Sequence, residues 1–134
     1  MIEWVIPARL ARSSRPGFGG EKPRQVGLDE VSDWLGQARA LGLRSILCLL
    51  DEEQLAYYRD LPEGLLDTYR RAGLAVTHLP VRDLQTPPIP EADLPVVWKA
   101  FRELPHPLLV HCSAGVDRTG AAVAHILRML EFSP

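Results

Sequence analysis

The chain has 134 residues, 46% of them apolar and 24% charged, with a net charge of −2 at neutral pH. That length suits one domain and leaves no room for a second, and the apolar content excludes disorder as the default. The slight negative charge speaks against general nucleic-acid or anionic-membrane binding, which need a basic surface excess.

Only Lys22 and Lys99 are lysines, so the basic character is carried by arginine. Two cysteines, Cys48 and Cys112, fall far short of a secreted disulfide scaffold. The N-terminus lacks a basic segment followed by an apolar run, and no stretch nears the ~20 apolar residues of a membrane span. The expectation is a soluble cytoplasmic protein, a single domain over residues 1–134, with no membrane span and no nucleic-acid partner.

Trp4, Val5, Ile6 and Leu10, interrupted by Pro7, predict one or two short edge strands in residues 3–13. Residues 14–27, rich in Gly, Pro and Arg, read as a loop. Leu28, Val31, Leu35, Ala38 and Leu41 recur at helical spacing up to Gly42. Ser45 to Leu50 is a short apolar run, the pattern of a buried strand. Residues 52–72 predict two short helices broken near Leu61-Pro62 and ended at Gly73. A second core strand follows from Ala75 to Val81, then a loop stiffened by Pro87, Pro88 and Pro90. Leu94, Val97, Trp98, Phe101 and Leu104 mark an amphipathic helix, and Pro107 to His111 a third core strand. The last helix sets Val123, Ile126, Leu127 and Leu130 on one face. Apolar strands alternating with amphipathic helices predict an α/β fold: one layered domain with a central, mostly parallel sheet flanked by helices. Such sheets bind ligands outside the carboxyl ends of their strands.

The loop after the third core strand reads His111-Cys112-Ser113-Ala114-Gly115-Val116-Asp117-Arg118-Thr119-Gly120. Small residues between Cys112 and Arg118 allow a ring of backbone N–H groups, an anion nest from Ser113 to Arg118 reinforced by the helix N-terminus. Gly115 permits a sharp turn and close approach, and a guanidinium closing the ring grips two phosphate oxygens at once. The same field favours the thiolate of Cys112, making it a nucleophile. Thr119 is placed to donate a hydrogen bond to the sulfur.

These residues resemble the signature of the protein tyrosine phosphatase superfamily, H-C-x5-R-[ST]-G, complete from His111 to Gly120. A bare Cys and Arg at this spacing would be weak; with His, Gly, Thr and Gly between a strand and a helix the motif is specific. The position near the C-terminus separates it from low-molecular-weight phosphatases and the related arsenate reductases. The likeness spans residues 28–131 and points to the compact dual-specificity branch. It implies a two-step hydrolysis through a cysteinyl-phosphate, without metal or cofactor, on a phosphorylated protein or small phosphomonoester. It also implies that His111 orients the loop.

The family's general acid is an aspartate on the loop after the preceding core strand. Asp83 fits, 29 residues before Cys112, although Val81-Arg82-Asp83 replaces the Trp-Pro-Asp of tyrosine-specific members. Asp117 competes from inside the signature, its plainer reading being an arginine partner or a loop support; Asp93 lies too far into the next helix. Arg12, Arg15 and Arg82 are candidates to meet a substrate, Arg82 foremost, yet each reads more simply as a solvated surface arginine. Asp51 reads as a pocket-rim residue or a helix cap, and Cys48 as core. His78, His106 and His125 are given no role.

The short chain lacks the segments that build a deep phosphotyrosine cleft. The loop also lacks the lysines that lipid-directed relatives often add. Phosphoprotein is therefore the favoured substrate. Inositol phosphates or phosphoinositides remain the alternative, as does a non-catalytic phosphate-binding module; rhodanese or arsenate chemistry fits the loop less well. The chain stops soon after the signature helix, so the face of residues 123–130 is expected to be thinly covered unless a second copy packs there.

Overall fold

The structure, a computed structural model, describes residues 2–19 and 24–131. Met1 and residues 20–23 of the expected loop, with Lys22, lie outside the described residues. Among the described residues five strands form one sheet: β1 (Glu3–Ile6), β2 (Leu10–Ser13), β3 (Ser45–Cys48), β4 (Ala75–His78) and β5 (Leu108–His111), in the order β1-β2-β5-β3-β4. Only the β1–β2 pair is antiparallel, so the sheet is mostly parallel, as expected. One expectation is corrected. Residues 10–13 are not an edge strand, because β2 also pairs with β5. Pro7 falls in the turn between β1 and β2, where its missing N–H costs no ladder bond.

Successive strand residues point to opposite faces, and the core divides accordingly. Ala11, Ile46, Cys48 and Leu109 pack against α1 (Leu28–Ala40) and α3 (Gly64–Arg71) through Val31, Trp34, Leu35, Leu65 and Tyr69. Leu10, Leu47, Leu108 and Val110 pack against α4 (Leu94–Glu103) and α5 (Asp117–Glu131) through Val97, Phe101, Ala122 and Ile126. Each fully buried large apolar side chain contributes about 1.5–3 kcal/mol. On α5 the expected face is only partly right, since Val123 and Ile126 are buried but Leu127 is exposed.

Helix ends follow local chemistry. Gly42, at φ 75°, closes α1 with bonds from its own N–H to Arg39 O and from Leu43 N–H to Ala38 O. Gly73 closes α3 in the same way. The short helix α2 (Glu52–Leu55) begins in a capping box: Asp51 accepts from Gln54 N–H, and the Gln54 side chain accepts from Asp51 N–H. Asp51 is therefore a helix cap. Pairing of the 75–81 segment with β3 persists past β4, through Leu79 N–H to Cys48 O and Val81 N–H to Leu49 O. Pro80, lacking an N–H, ends the regular ladder there. Among the described residues no helix is long and apolar enough to cross a membrane.

Candidate active site

Strand β5, buried along its length, delivers Cys112 between the carboxyl ends of β2 and β3, and α5 starts at Asp117. The intervening loop rests on the end of β2. Arg15 N–H donates to Ser113 O at 2.9 Å, and Arg12 Nη2 donates to Gly115 O at 2.9 Å. In a trans peptide the C=O and the following N–H point oppositely. With these carbonyls drawn toward β2, the N–H groups of Ala114 and Val116 turn away from it. Gly115 permits this closeness. Its φ is 77°, and a Cβ there would lie 2.6 Å from the Ser13 backbone.

Arg118, in the first turn of α5, is 2% exposed. Its Nη1 donates to Leu49 O at 3.1 Å, Val81 O at 2.9 Å and Gln54 Oε1 at 2.9 Å. Leu49 and Val81 follow the carboxyl ends of β3 and β4, so the sheet itself aims the guanidinium. Asp83 Oδ2 lies 3.3 Å from Nη2 and accepts from Gln54 Nε2 at 3.0 Å. The Nε of Arg118 and the Oγ1 of Thr119 are buried without a partner among the described residues. Leaving such a donor unpaired costs about 1–3 kcal/mol, a cost that an oxyanion ligand would relieve at Nε.

Beneath the loop, His111 is fully buried, and burial drops its pKa to about 4. The ring is therefore neutral. Its Nδ1 lies 3.0 Å from Cys112 O, which can only accept, so the proton sits on Nδ1. Nε2 then accepts from Tyr69 O–H at 2.9 Å. Trp34 stacks on Tyr69 and meets the His111 ring edge-on. Cys48, beside His111 in the sheet register, is wholly buried, and burial pushes its thiol up to about 12. It stays protonated and inert, as its apolar strand implied.

The structure thus sets Arg118 and Asp83 side by side, with His111 beneath the loop that runs from Cys112 through Ser113 to Gly115; Thr119, expected to donate to the Cys112 sulfur, makes no such bond among the described residues. Ala114, Val116 and Asp117 are exposed on the outer turn, and Arg82 is exposed beside half-buried Asp83. A second correction concerns Arg15, expected as solvated but 5% exposed. Its Nε donates to Ser113 Oγ at 3.0 Å, its Nη1 to Tyr58 Oη at 3.2 Å, and its guanidinium lies 4.9 Å from the Tyr57 ring centroid. Aromatic rings and a phenol oxygen replace its water. Arg12, too, is half-buried and spent on the loop. His78 and His106 donate to Leu50 O and Phe101 O, which are packing roles. The sequence reading missed Gln54, which joins Arg118 to Asp83; the Asp51-x-x-Gln54 spacing of a capping box was its available signal. No comparable signal marked Tyr58, Tyr69 or Trp34.

The sequence profile of the Tc-R-P family, a DSP-PTPase phosphatase of polymorphic toxin systems, matches residues 27–130. Among solved structures, the chain is similar to the kinase-associated phosphatase with its catalytic-site cysteine changed to serine. There identity is 19% and the TM-score 0.66, over 90% of this chain and 65% of that one. It is similar to Tk-PTP in its active form at 20% identity and TM-score 0.65, over 99% of this chain and 76% of that one. It is also similar to the core catalytic domain of the PP-IP phosphatase Siw14 from S. cerevisiae in complex with citrate. That match has 23% identity and TM-score 0.59, over 98% of this chain and 68% of that one. At these identities the structural likeness speaks to fold. The chain spans less than two thirds of the kinase-associated phosphatase chain. No curated protein matches the sequence.

Proposed function

This chain belongs to the DSP-PTPase phosphatases of polymorphic toxin systems, a cysteine-dependent family, and on that premise we propose that it hydrolyses phosphomonoesters with Cys112 as nucleophile, Arg118 as phosphate clamp and Asp83 as general acid. The supporting observation is Arg118: buried, aimed by two strand-end carbonyls, and keeping an unpartnered Nε beside the loop that starts at Cys112. A phosphate in the loop would take that Nε and the amides of Ala114 and Val116.

In the first step the Cys112 thiolate attacks phosphorus, an S–P bond forms, the P–O ester bond breaks, and Asp83 gives its proton to the leaving oxygen. In the second, the Asp83 carboxylate takes a proton from water, whose oxygen attacks phosphorus. The S–P bond breaks, and phosphate and thiolate are restored. Thr119 would donate to the departing sulfur, and neutral His111 holds the Cys112 carbonyl. Asp83 is favoured over Asp117 because its carboxylate already stands at the Arg118 guanidinium, whereas Asp117 is exposed on the outer turn of α5. Phosphate bound at Arg118 would release Asp83 toward the ester oxygen. The favoured substrate is a phosphorylated protein, acted on in the cytoplasm by a single domain over residues 1–134.

The test is turnover of para-nitrophenyl phosphate and phenyl phosphate in the presence of a chelator. Cys112→Ser should fall to background on both. Asp83→Asn should lose about 10²-fold or more on phenyl phosphate and less on the better leaving group, since a general acid contributes about 10²–10⁴-fold. Asp117→Asn should stay within about threefold on both. Turnover surviving in Cys112→Ser, or Asp117→Asn proving the worse aspartate variant, would overturn these assignments.

A further inference from the structure

An open groove of about 560 Å³ runs between α2 and the 80–84 segment. Its lining carries Asp51, Glu52, Glu53 and Asp83 against a single cation, Arg82. Setting Asp83 off against Arg118 still leaves three carboxylates facing one guanidinium. Glu52 and Glu53 are exposed in the first turn of α2, and the Asp51–Gln54 capping box fixes that turn in place. Tyr57 and Leu84, the latter 92% exposed, add apolar wall. Among the described residues no three of these carboxylates converge as a metal ion would require.

The groove adjoins Arg118 through two shared residues. Gln54 and Asp83 both line it, and both reach the Arg118 guanidinium, whose Nε is buried without a partner. A substrate with its phosphate on Arg118 therefore lays its neighbouring atoms along an acidic wall with apolar patches. Arg82 is too exposed and too outnumbered to reverse that sign.

We propose that this groove selects phosphorylated polypeptide segments that carry a basic residue beside the phosphorylated one, and that it disfavours polyanionic substrates. The proposal rests on the phosphatase reading above and names its substrate class. A lysine or arginine next to the phosphoresidue meets Glu52 and Glu53, while its methylenes and neighbours cover Tyr57 and Leu84. An inositol polyphosphate would instead bring further negative charge against those glutamates, with no lysine in the loop to offset it. Because Glu52 and Glu53 are exposed, the preference is moderate and weakens with salt.

Two phosphotyrosine peptides of equal length, one flanked by arginines and one by glutamates, test this. Their affinity for the Cys112→Ser protein is measured by fluorescence anisotropy, and their kcat/KM with the wild type. The arginine peptide should be preferred about tenfold at low salt in both, and less at 0.5 M salt. Glu52→Gln/Glu53→Gln should shrink the preference to about twofold, and Glu52→Lys/Glu53→Lys should invert it. Turnover of para-nitrophenyl phosphate, too small to reach the groove, should stay unchanged in both double variants. Equal binding of the two peptides, or a preference untouched by these substitutions, would overturn the groove while leaving the phosphatase reading intact. Hydrolysis of inositol hexakisphosphate faster than the arginine peptide would overturn it too. A preference seen in binding alone, with no turnover by the wild type, would uphold the groove and sink the catalytic reading.

Discussion

On the β2 side of the phosphate loop, Arg15 and Arg12 donate to Ser113 and Gly115, and Tyr58 O–H closes the set on Pro16 O at 2.6 Å. Nearly all of this is buried. On the opposite side, Arg118 is gripped by two backbone carbonyls, but its remaining reach goes to Gln54 and Asp83. Asp83 is one-third exposed there, and the next residue, Leu84, juts into solvent at φ 58°. The contrast is instructive because both sides use a buried arginine. Arg15 has given Nε and Nη1 to protein atoms and holds a shape; Arg118 keeps Nε unspent and has a part-exposed carboxylate at Nη2. Burial of an arginine therefore does not by itself mark a binding residue. Under the proposed chemistry the unspent donor does, the fixed side shaping the loop while the opposite side trades Asp83 for substrate.

The largest break in this contrast is Gly115→Ala. The added methyl meets the Ser13 backbone, which is not a flexible side-chain end that could swing aside, and the residue must also hold a φ of 77°. Strain of about 1–3 kcal/mol is expected from the backbone conformation alone. The loop must lift off β2 to relieve the contact, and a shift of roughly 1 Å in a reacting group costs about 10²-fold in rate. Kinetics on para-nitrophenyl phosphate should therefore show a loss of 10²-fold or more, with a lower Tm. Near-wild-type activity would mean that the β2 contact does not set the loop's geometry.

A matched pair sharpens the division of labour. Arg15→Met keeps much of the side-chain volume but removes the donors to Ser113 and Tyr58, so it should cost about 2 kcal/mol in urea unfolding, with activity falling about tenfold. Gln54→Ala removes the link between Arg118 and Asp83 while Leu49 O and Val81 O still hold Nη1. It should cost less than about 1 kcal/mol, yet lower kcat about tenfold. If both variants lose stability and activity in the same proportion, the two sides are not functionally distinct.

Much of this division was illegible in the sequence. The strand, loop and helix around Cys112 were visible because their requirements are local: an apolar strand, small residues, Gly115 at the turn, and Arg118 entering a helix. The strands and the terminating glycines at 42 and 73 were legible for the same reason. Arg15 was misread because its partners lie 43 and 98 residues away in sequence. No periodicity reports such a contact, and a Gly- and Pro-rich context suggests solvent. Gln54 was missed although the capping box that positions it is a local pattern, since that pattern says nothing of Arg118. The pairing of β2 with β5 depends on sheet order, which local alternation cannot specify.

A pH effect, with no loss of activity at neutral pH expected from it, probes the fixed side from beneath. His111 has a folded pKa of about 4 because burial opposes its charge, against roughly 6.5 in an unfolded chain. Between these values the unfolded chain holds a proton that the folded one refuses, so stability must fall as pH drops from about 6.5 toward 4. Above pH 7 the contribution is fully present. His111→Asn retains an N–H able to reach Cys112 O but cannot titrate. Going from pH 7 to 4.5, the wild type should therefore lose about 2 kcal/mol more than this variant, because the carboxylates titrate alike in both and cancel. Urea titrations at the two pH values measure that difference. Parallel losses would show that the His111 ring accepts its proton in the folded state, and that the packing of Trp34 and Tyr69 around it does not hold it neutral.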